Sequence, residues 1–217
     1  MADSKRGFGI TFIDLDDTLF RTYAKVNVVK DGKIVRALSN SEFNTYILEE
    51  GESFEFSEFS DSRLFRETSV PIPRTMKMVR EMMGKIKETK SFSRIIVLTA
   101  RPDFHDKETF LQTFTDNGID ISDKDLFYID RMGNKNGGSV AEKKRDAILN
   151  YLKKGIYRRC RMIDDNIVNL RAFIEMGKNI PEDILESVRK KYNLKSANPI
   201  KFYALQIDEN GKLRILE

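Results

Sequence analysis

This chain nearly lacks the residues on which several common chemistries are built. Its 217 residues include one cysteine, one histidine and no tryptophan. Cys160 has no second thiol to pair with, which rules out an internal disulfide framework and suits a reducing compartment, the cytoplasm being the expected one. It lies beside a predicted strand and reads as an inert buried thiol. His105 would have to supply every imidazole, so a His-based zinc site or a Ser-His-Asp triad has almost nothing to be made from, and zinc held by cysteines has no ligand set. No stretch approaches the roughly 18 apolar residues of a membrane span. The opening Met1-Ala-Asp-Ser-Lys-Arg6 is not followed by the apolar segment that a signal peptide needs. Neither sign of charge dominates. Lys and Arg number 38 against 34 Asp and Glu, a net +4 that permits an anionic substrate without demonstrating a nucleic-acid partner.

What is present suffices for one sizeable domain, since 40% of the residues are hydrophobic. Residues 8–15 form a short apolar run that ends in acids and reads as a fully buried strand. Residues 23–72 interrupt the pattern and read as a small insertion. Within it, two strands flank Lys30-Asp31-Gly32-Lys33, a strong hairpin signal. Ser39 to Glu42 resembles a capping box that opens a short helix toward Glu49. Residues 53–60 read as an edge strand or an extended segment anchored by Phe54, Phe56 and Phe59, rings expected to pack onto the main domain rather than to stack on a base. From Pro73 onward, helices and strands alternate: a helix striped by Met76, Val79, Met82, Met83 and Ile86, then strands predicted at 94–99, 126–129, 159–163 and 200–207, with helices between them and a terminal hairpin at 213–216. Residues 133–138 read as a flexible loop, and Ser139 as the cap of the helix that follows. This alternation predicts a single α/β domain over 1–217 with a Rossmann-like, mostly parallel sheet and helices on both faces.

In such a sheet, ligands bind outside the carboxyl ends of the strands. Four polar groups are expected there: Asp14 with Asp16, Thr99, a lysine from Lys143-Lys144, and Asp164 with Asp165. Carboxylates at neighbouring strand ends repel unless something positive lies between them, and a divalent cation with oxygen ligands, magnesium, meets that need. A carboxylate can attack phosphorus, and a second acid two residues on can protonate the leaving oxygen. A hydroxyl and an ammonium can bind the equatorial oxygens as charge shifts. The pattern therefore points to magnesium-dependent phosphoryl chemistry.

Asp14-x-Asp16-x-Thr18 after one apolar strand, Thr99 after a second, a helix-borne lysine, and Asp164-Asp165 after a fourth resemble the haloacid dehalogenase-like phosphatases over roughly residues 8–176. The resemblance implies that Asp14 is nucleophile and metal ligand. Asp16 would be general acid and base, its backbone carbonyl a further ligand. Thr99 would bind the phosphoryl group, with Ala100 and Arg101 beside it. Asp164 and Asp165 would hold magnesium, and which of them does so directly stays open. Lys144 is preferred to Lys143 because it stands four residues before Ile148. Arg101 would reach a substrate phosphate or, equally, form a structural salt bridge. Asp17 fits a loop-stabilising position, and Asn166 a helix cap rather than an orienting group for a water.

An acid at position 16 favours phosphate esters, because dehalogenase members lack one. The Asp164-Asp165 and Thr99-Ala100-Arg101 forms are similar to the 3′-phosphatase domain of phage polynucleotide kinases, and the chain is similar in style to phage-encoded members of the family. That similarity implies a nucleotide or nucleic-acid terminal phosphate as substrate, with a small phosphometabolite as rival. The alternative class is a phosphate-binding module without catalysis, against which the general acid argues. The basic clusters at 143–145, 153–154, 158–161 and 189–191 read as solvated helix ends.

Overall fold

The computed structural model describes residues 7–43, 45–133, 137–208 and 210–216. In chain order the elements are β1 (Phe8–Ile13), β2 (Phe20–Arg21), β3 (Val26–Lys30), β4 (Lys33–Leu38), α1 (Asn40–Phe43), β5 (Glu52–Glu55), α2 (Ser62–Thr68), β6 (Val70–Pro71), α3 (Pro73–Glu88) and β7 (Arg94–Thr99). They continue with α4 (Lys107–Asp116), β8 (Phe127–Arg131), α5 (Val140–Leu152), β9 (Tyr157–Asp164), α6 (Ile167–Lys178), α7 (Glu182–Tyr192), β10 (Lys201–Ile207) and β11 (Leu213–Leu216).

The central sheet has the order β11-β10-β9-β1-β7-β8. Every pairing in it is parallel except that of β10 with β11. The architecture is therefore the expected α/β sheet, and helices cover it because each strand presents alternate residues to opposite sides. Ile10 and Phe12 of β1 join Cys160 and Met162 of β9 against α5, α6 and α7. Ile13 joins Ile95 and Val97 of β7 against Met76, Val79 and Met83 of α3 and Phe110 and Phe114 of α4. Starting at β1, the chain winds outward through β7 to β8 with helices on one face. It then returns to β9 and β10 with helices on the other. The direction of winding reverses beside β1, and that reversal leaves a crevice at the carboxyl ends of β1 and β9.

Between β2 and β6, which pair with each other, the chain builds a second small sheet of order β4-β3-β5. Asp31 and Gly32 both have positive φ, 50° and 72°, the twist that a two-residue hairpin requires and that Asp-Gly supplies at low cost. The insertion differs in detail from its sequence reading. Its helix at residue 40 is a single turn ending at Phe43, residue 44 lying outside the described residues. The segment after Gly51 does supply an edge strand, but only over Glu52–Glu55, and a 3-10 turn at Ser57–Ser60 replaces the rest of the extended segment. The helix α2 carries no strong periodic stripe and was not expected. The rings of Phe54 and Phe59 pack on Val26, Val28 and Leu38, so they belong to the insertion's own small core rather than to the main one. Phe56 is 45% exposed. Residues 134–136 of the expected loop at 133–138 lie outside the described residues.

The strand ends are held by close backbone contacts. Gly133 donates its N–H to the Arg101 carbonyl at 3.1 Å, just after Met132 donates to Thr99 at 2.8 Å. A Cβ at position 133 would lie 2.4 Å from the Pro102 nitrogen and 2.6 Å from the Ala100 oxygen, atoms of backbone that cannot step aside without moving the loop after β7. Gly133→Ala is therefore expected to destabilise the fold by about 1–3 kcal/mol, measured by chemical denaturation. An unchanged unfolding midpoint would show that this loop is free to shift.

Candidate active site

The turn after β1 begins with a hydrogen bond across the crevice. The Asp14 N–H donates to the Ile163 carbonyl at 2.9 Å, so β1 and β9 stay joined up to the point where their acids begin. The chain then turns tightly. Leu19 and Phe20 both donate to the Leu15 carbonyl, and Asp17 takes the left-handed conformation (φ 54°), which aspartate tolerates better than most residues. This turn brings Asp14, Asp16 and Thr18 close to the end of β9. The Asp165 N–H donates to the Thr18 hydroxyl at 3.1 Å, and that hydroxyl lies 3.4 Å from the Asp165 carboxylate.

Lys144 enters this crevice from α5. It lies on the buried stripe of that helix with Ala147, Ile148 and Leu152, the i, i+3, i+4, i+8 spacing of one helical face. The helix begins with a full capping box, in which Ser139 and Glu142 satisfy each other's backbone donors. The register that buries Ile148 thus also buries Lys144, at 2% exposure. Its Nζ lies 2.5 Å from Asp14 Oδ1 and 2.8 Å from Asp164 Oδ2. Lys143 is half-buried one position away and takes no part in this cluster.

Asp164 is fully buried and has partners besides Lys144. It accepts from the Asn166 N–H at 2.9 Å and from the Asn169 side-chain amide at 3.2 and 3.1 Å. Asn166 caps α6 by accepting from the Val168 N–H at 2.8 Å, as its position suggested. Asn169 was missed in the sequence. Its signal was the helical spacing of three residues from Asn166, which carries it back over the end of β9.

Carboxylate oxygens of Asp14, Asp164 and Asp165 lie within 4.8 Å of one another. One ammonium among three carboxylates leaves the cluster short of positive charge. Burial, with the neighbouring Asp164, Asp165 and Asp16, holds the Asp14 carboxyl well above the usual range despite Lys144. Burial and the adjacent Asp164 push Asp165 up to about 7. For Lys144, burial opposes the charged form, but Asp14 and Asp164 outweigh it and hold the amine protonated. The donors are hard oxygens converging on one point, and their charge is incompletely balanced. That is the set a magnesium ion takes, with remaining positions filled by water, and Asp14, Asp164 and Asp165 are the side chains that would hold one. The Asp16 carboxylate is not among them, the ligand expected of that residue being its backbone carbonyl.

The side chain of Asp16 turns instead to Arg101. The guanidinium meets it as a fork, Nε at 3.0 and 3.1 Å and Nη2 at 2.7 Å, and the Thr22 hydroxyl donates to the same carboxylate at 2.6 Å. Arg101 is 2% exposed, donates to the Phe59 carbonyl at 3.1 Å, and lies over the rings of Phe59 and Phe65 at 4.9 and 5.0 Å. Of the two expectations for Arg101, the ion pair is the one that this conformation adopts. The residue ties the turn after β1 to the insertion. Thr99 is fully buried at the end of β7, with its hydroxyl accepting from the Arg101 N–H at 3.1 Å, and Ala100 is exposed beside it. Thr22 and Phe59 were not legible as partners of this group, because the insertion that carries them has no periodic relation to β7. Cys160 is buried in the opposite core, and burial raises its thiol well above the usual range.

No family model, curated protein or solved structure matches the chain. The motif spacing therefore remains a resemblance.

The charge imbalance has a measurable sign. A carboxyl whose folded value is raised contributes stability that is full below its unfolded value near 3.8 and lost as pH rises through the folded value, about 7 for Asp165. Without divalent cation, thermal stability is expected to fall between about pH 4 and 7, and magnesium at pH 7 to restore it. A melting temperature that stays flat across this range, with and without magnesium, would contradict the cluster's electrostatics. Lys144→Gln is expected to cost about 3–5 kcal/mol at pH 7 and less at pH 5, where the buried carboxyls regain protons, as read by denaturant unfolding at the two pH values.

Proposed function

We propose that the protein is a magnesium-dependent phosphatase that hydrolyses a phosphate monoester through a phospho-aspartate on Asp14. The observation that carries this reading is Lys144 shared between Asp14 and Asp164, with Asp165 alongside, at the sheet's crevice. A purely structural carboxylate at a strand end has no need of two further carboxylates, one buried and one partly buried, beside it. A nucleophile that must accept an anionic group does need concentrated positive charge. Bound magnesium would supply charge neutralisation to the phosphoryl oxygens and to the cluster.

The chain's own residues then divide the work. Asp14 is held in place by its backbone bond to Ile163 and by Lys144, and one carboxylate oxygen attacks phosphorus as the bond from phosphorus to the leaving oxygen breaks. Lys144 stays charged and offsets the negative charge of the transferring group. Thr99, at the end of β7 on the same side of the sheet, offers a hydroxyl. Asp16 gives a proton to the leaving oxygen and later takes one from the water that attacks the phospho-aspartate, returning Asp14 and releasing phosphate. That role asks Asp16 to turn out of its fork with Arg101, so the Arg101–Phe59 contact to the insertion becomes a control on the acid. A binding module of the same fold is disfavoured by this second, separately held acid.

The resemblance to phage 3′-phosphatases favours a nucleotide or nucleic-acid terminal phosphate. The small insertion, with Phe56 exposed on it, is compatible with a substrate larger than a free metabolite.

Asp14→Asn is expected to abolish turnover of p-nitrophenyl phosphate with the fold intact by circular dichroism. EDTA should silence the wild type and magnesium revive it. Near-normal activity of the variant would remove the nucleophile. Asp16→Ala is expected to slow alkyl phosphates by about 10²–10⁴ and p-nitrophenyl phosphate, whose leaving group needs no proton, much less. Equal losses on both would deny Asp16 the acid role. Matched assays of a 3′-phosphorylated oligonucleotide, mononucleotides and sugar phosphates separate the substrate classes, and much faster turnover of sugar phosphates would overturn the nucleic-acid preference.

A further inference from the structure

At the other end of the sheet lies a cavity of about 350 Å³ between the carboxyl-terminal half of α3 and the starts of β1, β7 and β9. Its charge is one-sided. Lys85, Arg94, Arg159 and Arg161 line it, and among the described residues no aspartate or glutamate does. The clusters at 158–161 were expected at solvated helix ends. Arg159 and Arg161 instead occupy β9, two residues apart, so both side chains project from the same face of the sheet. They point where α3 does not fully cover it.

The cations there are poorly matched from within the protein. The Nε atoms of Arg94 and Arg159 are buried with no hydrogen-bond partner among the described residues. Arg159 spends Nη2 on the Gly7 carbonyl at 2.8 Å, and Arg94 spends Nη2 on the Lys124 carbonyl at 2.6 Å, with Asp125 at 3.8 Å. Among the described residues, Arg161 bonds only from Nη1 to the thioether of Met82 at 3.4 Å, a weak acceptor for a charged donor. Burial and the neighbouring Arg159 hold the Arg161 guanidinium below its ordinary value. Two adjacent guanidiniums with no carboxylate partner among the described residues are costly unless an anion joins them.

The rest of the cavity defines what kind of anion. Tyr203 stands beside Arg161 in the register of β10 with β9 and is 38% exposed, leaving a ring face available for a flat group. Met82 and Ile86 supply an apolar wall, and Thr11 a hydroxyl on the floor. The volume is at the lower end of that of small-ligand pockets, too small for a folded partner. We propose that this cavity binds a phosphate-bearing small molecule of the mononucleotide class, with its phosphate between Arg159 and Arg161 and its flat part against Tyr203. Two guanidiniums match a phosphate dianion in charge and donor geometry. The site is separate from the carboxylate cluster, which lies at the opposite ends of the same strands. Neither reading depends on the other, and a ligand here would bear on β1 and β9, the two strands that carry Asp14 and Asp164.

The test is a titration of the wild-type chain with adenosine 5′-monophosphate in EDTA, followed by backbone amide shifts. Saturable shifts are expected at Gly9, Thr11, Ser93, Arg161 and Tyr203. Arg159→Gln with Arg161→Gln should weaken binding about tenfold or more, and Arg161→Lys should weaken it less than Arg161→Gln. The wild-type map needs no variant, so a misfolded variant does not leave the question open. Shifts confined to residues around Asp14 and Asp164, or no saturation at millimolar ligand, would overturn the proposal. So would an oligothymidylate that binds these residues much more tightly than the mononucleotide, since the face would then be a polymer track.

Discussion

The shared ammonium of Lys144 is the interaction on which the rest of this structure turns. It lies within hydrogen-bond reach of a carboxylate from each of two strands that the fold must bring together, Asp14 beyond β1 and Asp164 at the end of β9. Without it the crevice would hold three acids in a buried space and the strand ends would repel. With it, the cluster is tolerable but still short of positive charge, and that deficit is the ground for the cation and the phosphoryl chemistry proposed above.

Around that centre, two supports have different characters. On the side of α5 and α6 the acids are held by regular structure: a capped helix delivers Lys144, and the first turn of the next delivers Asn166 and Asn169 to Asp164. This support is rigid because helix registers are fixed by core burial. On the side of β7 the support passes through Arg101, whose guanidinium bridges Asp16 and the Phe59 carbonyl of the insertion. The insertion has its own core of Val26, Val28 and Leu38, separate from the two cores of the main sheet. The second acid is therefore anchored to a unit with its own core, and the first to the main sheet. That asymmetry accords with the roles proposed for them, since a nucleophile gains from fixed placement and a proton donor must change partners.

The sheet also carries charge at its other edge. Arg159 and Arg161 face the α3 side near the start of β9, and Asp164 ends the same strand. One strand thus has cations short of anions at one end and anions short of cations at the other. Among the described residues no helix is long and apolar enough to cross a membrane.

Much of the main sheet was legible in the residues. Strands and helices alternate with clear periods after Pro73, and acids that follow short apolar runs stand at strand ends because a buried strand cannot hold them elsewhere. Asp14, Thr99, Lys144 and the Asp164-Asp165 pair could be located this way, the lysine through its spacing from Ile148. The insertion was harder to read. Its third strand and α2 have weak patterns, and its aromatic rings could pack in either direction until a tertiary arrangement chose one. Sequence spacing likewise says nothing about who pairs with a long cation. Arg101 reached Asp16 and Phe59, and Arg161 reached Met82, because the tertiary arrangement brought those groups within range. Local periodicity determines which residues stand at a strand end or on a helix face. Only the winding of the chain decides which of those ends meet, and charge balance is a property of the meeting.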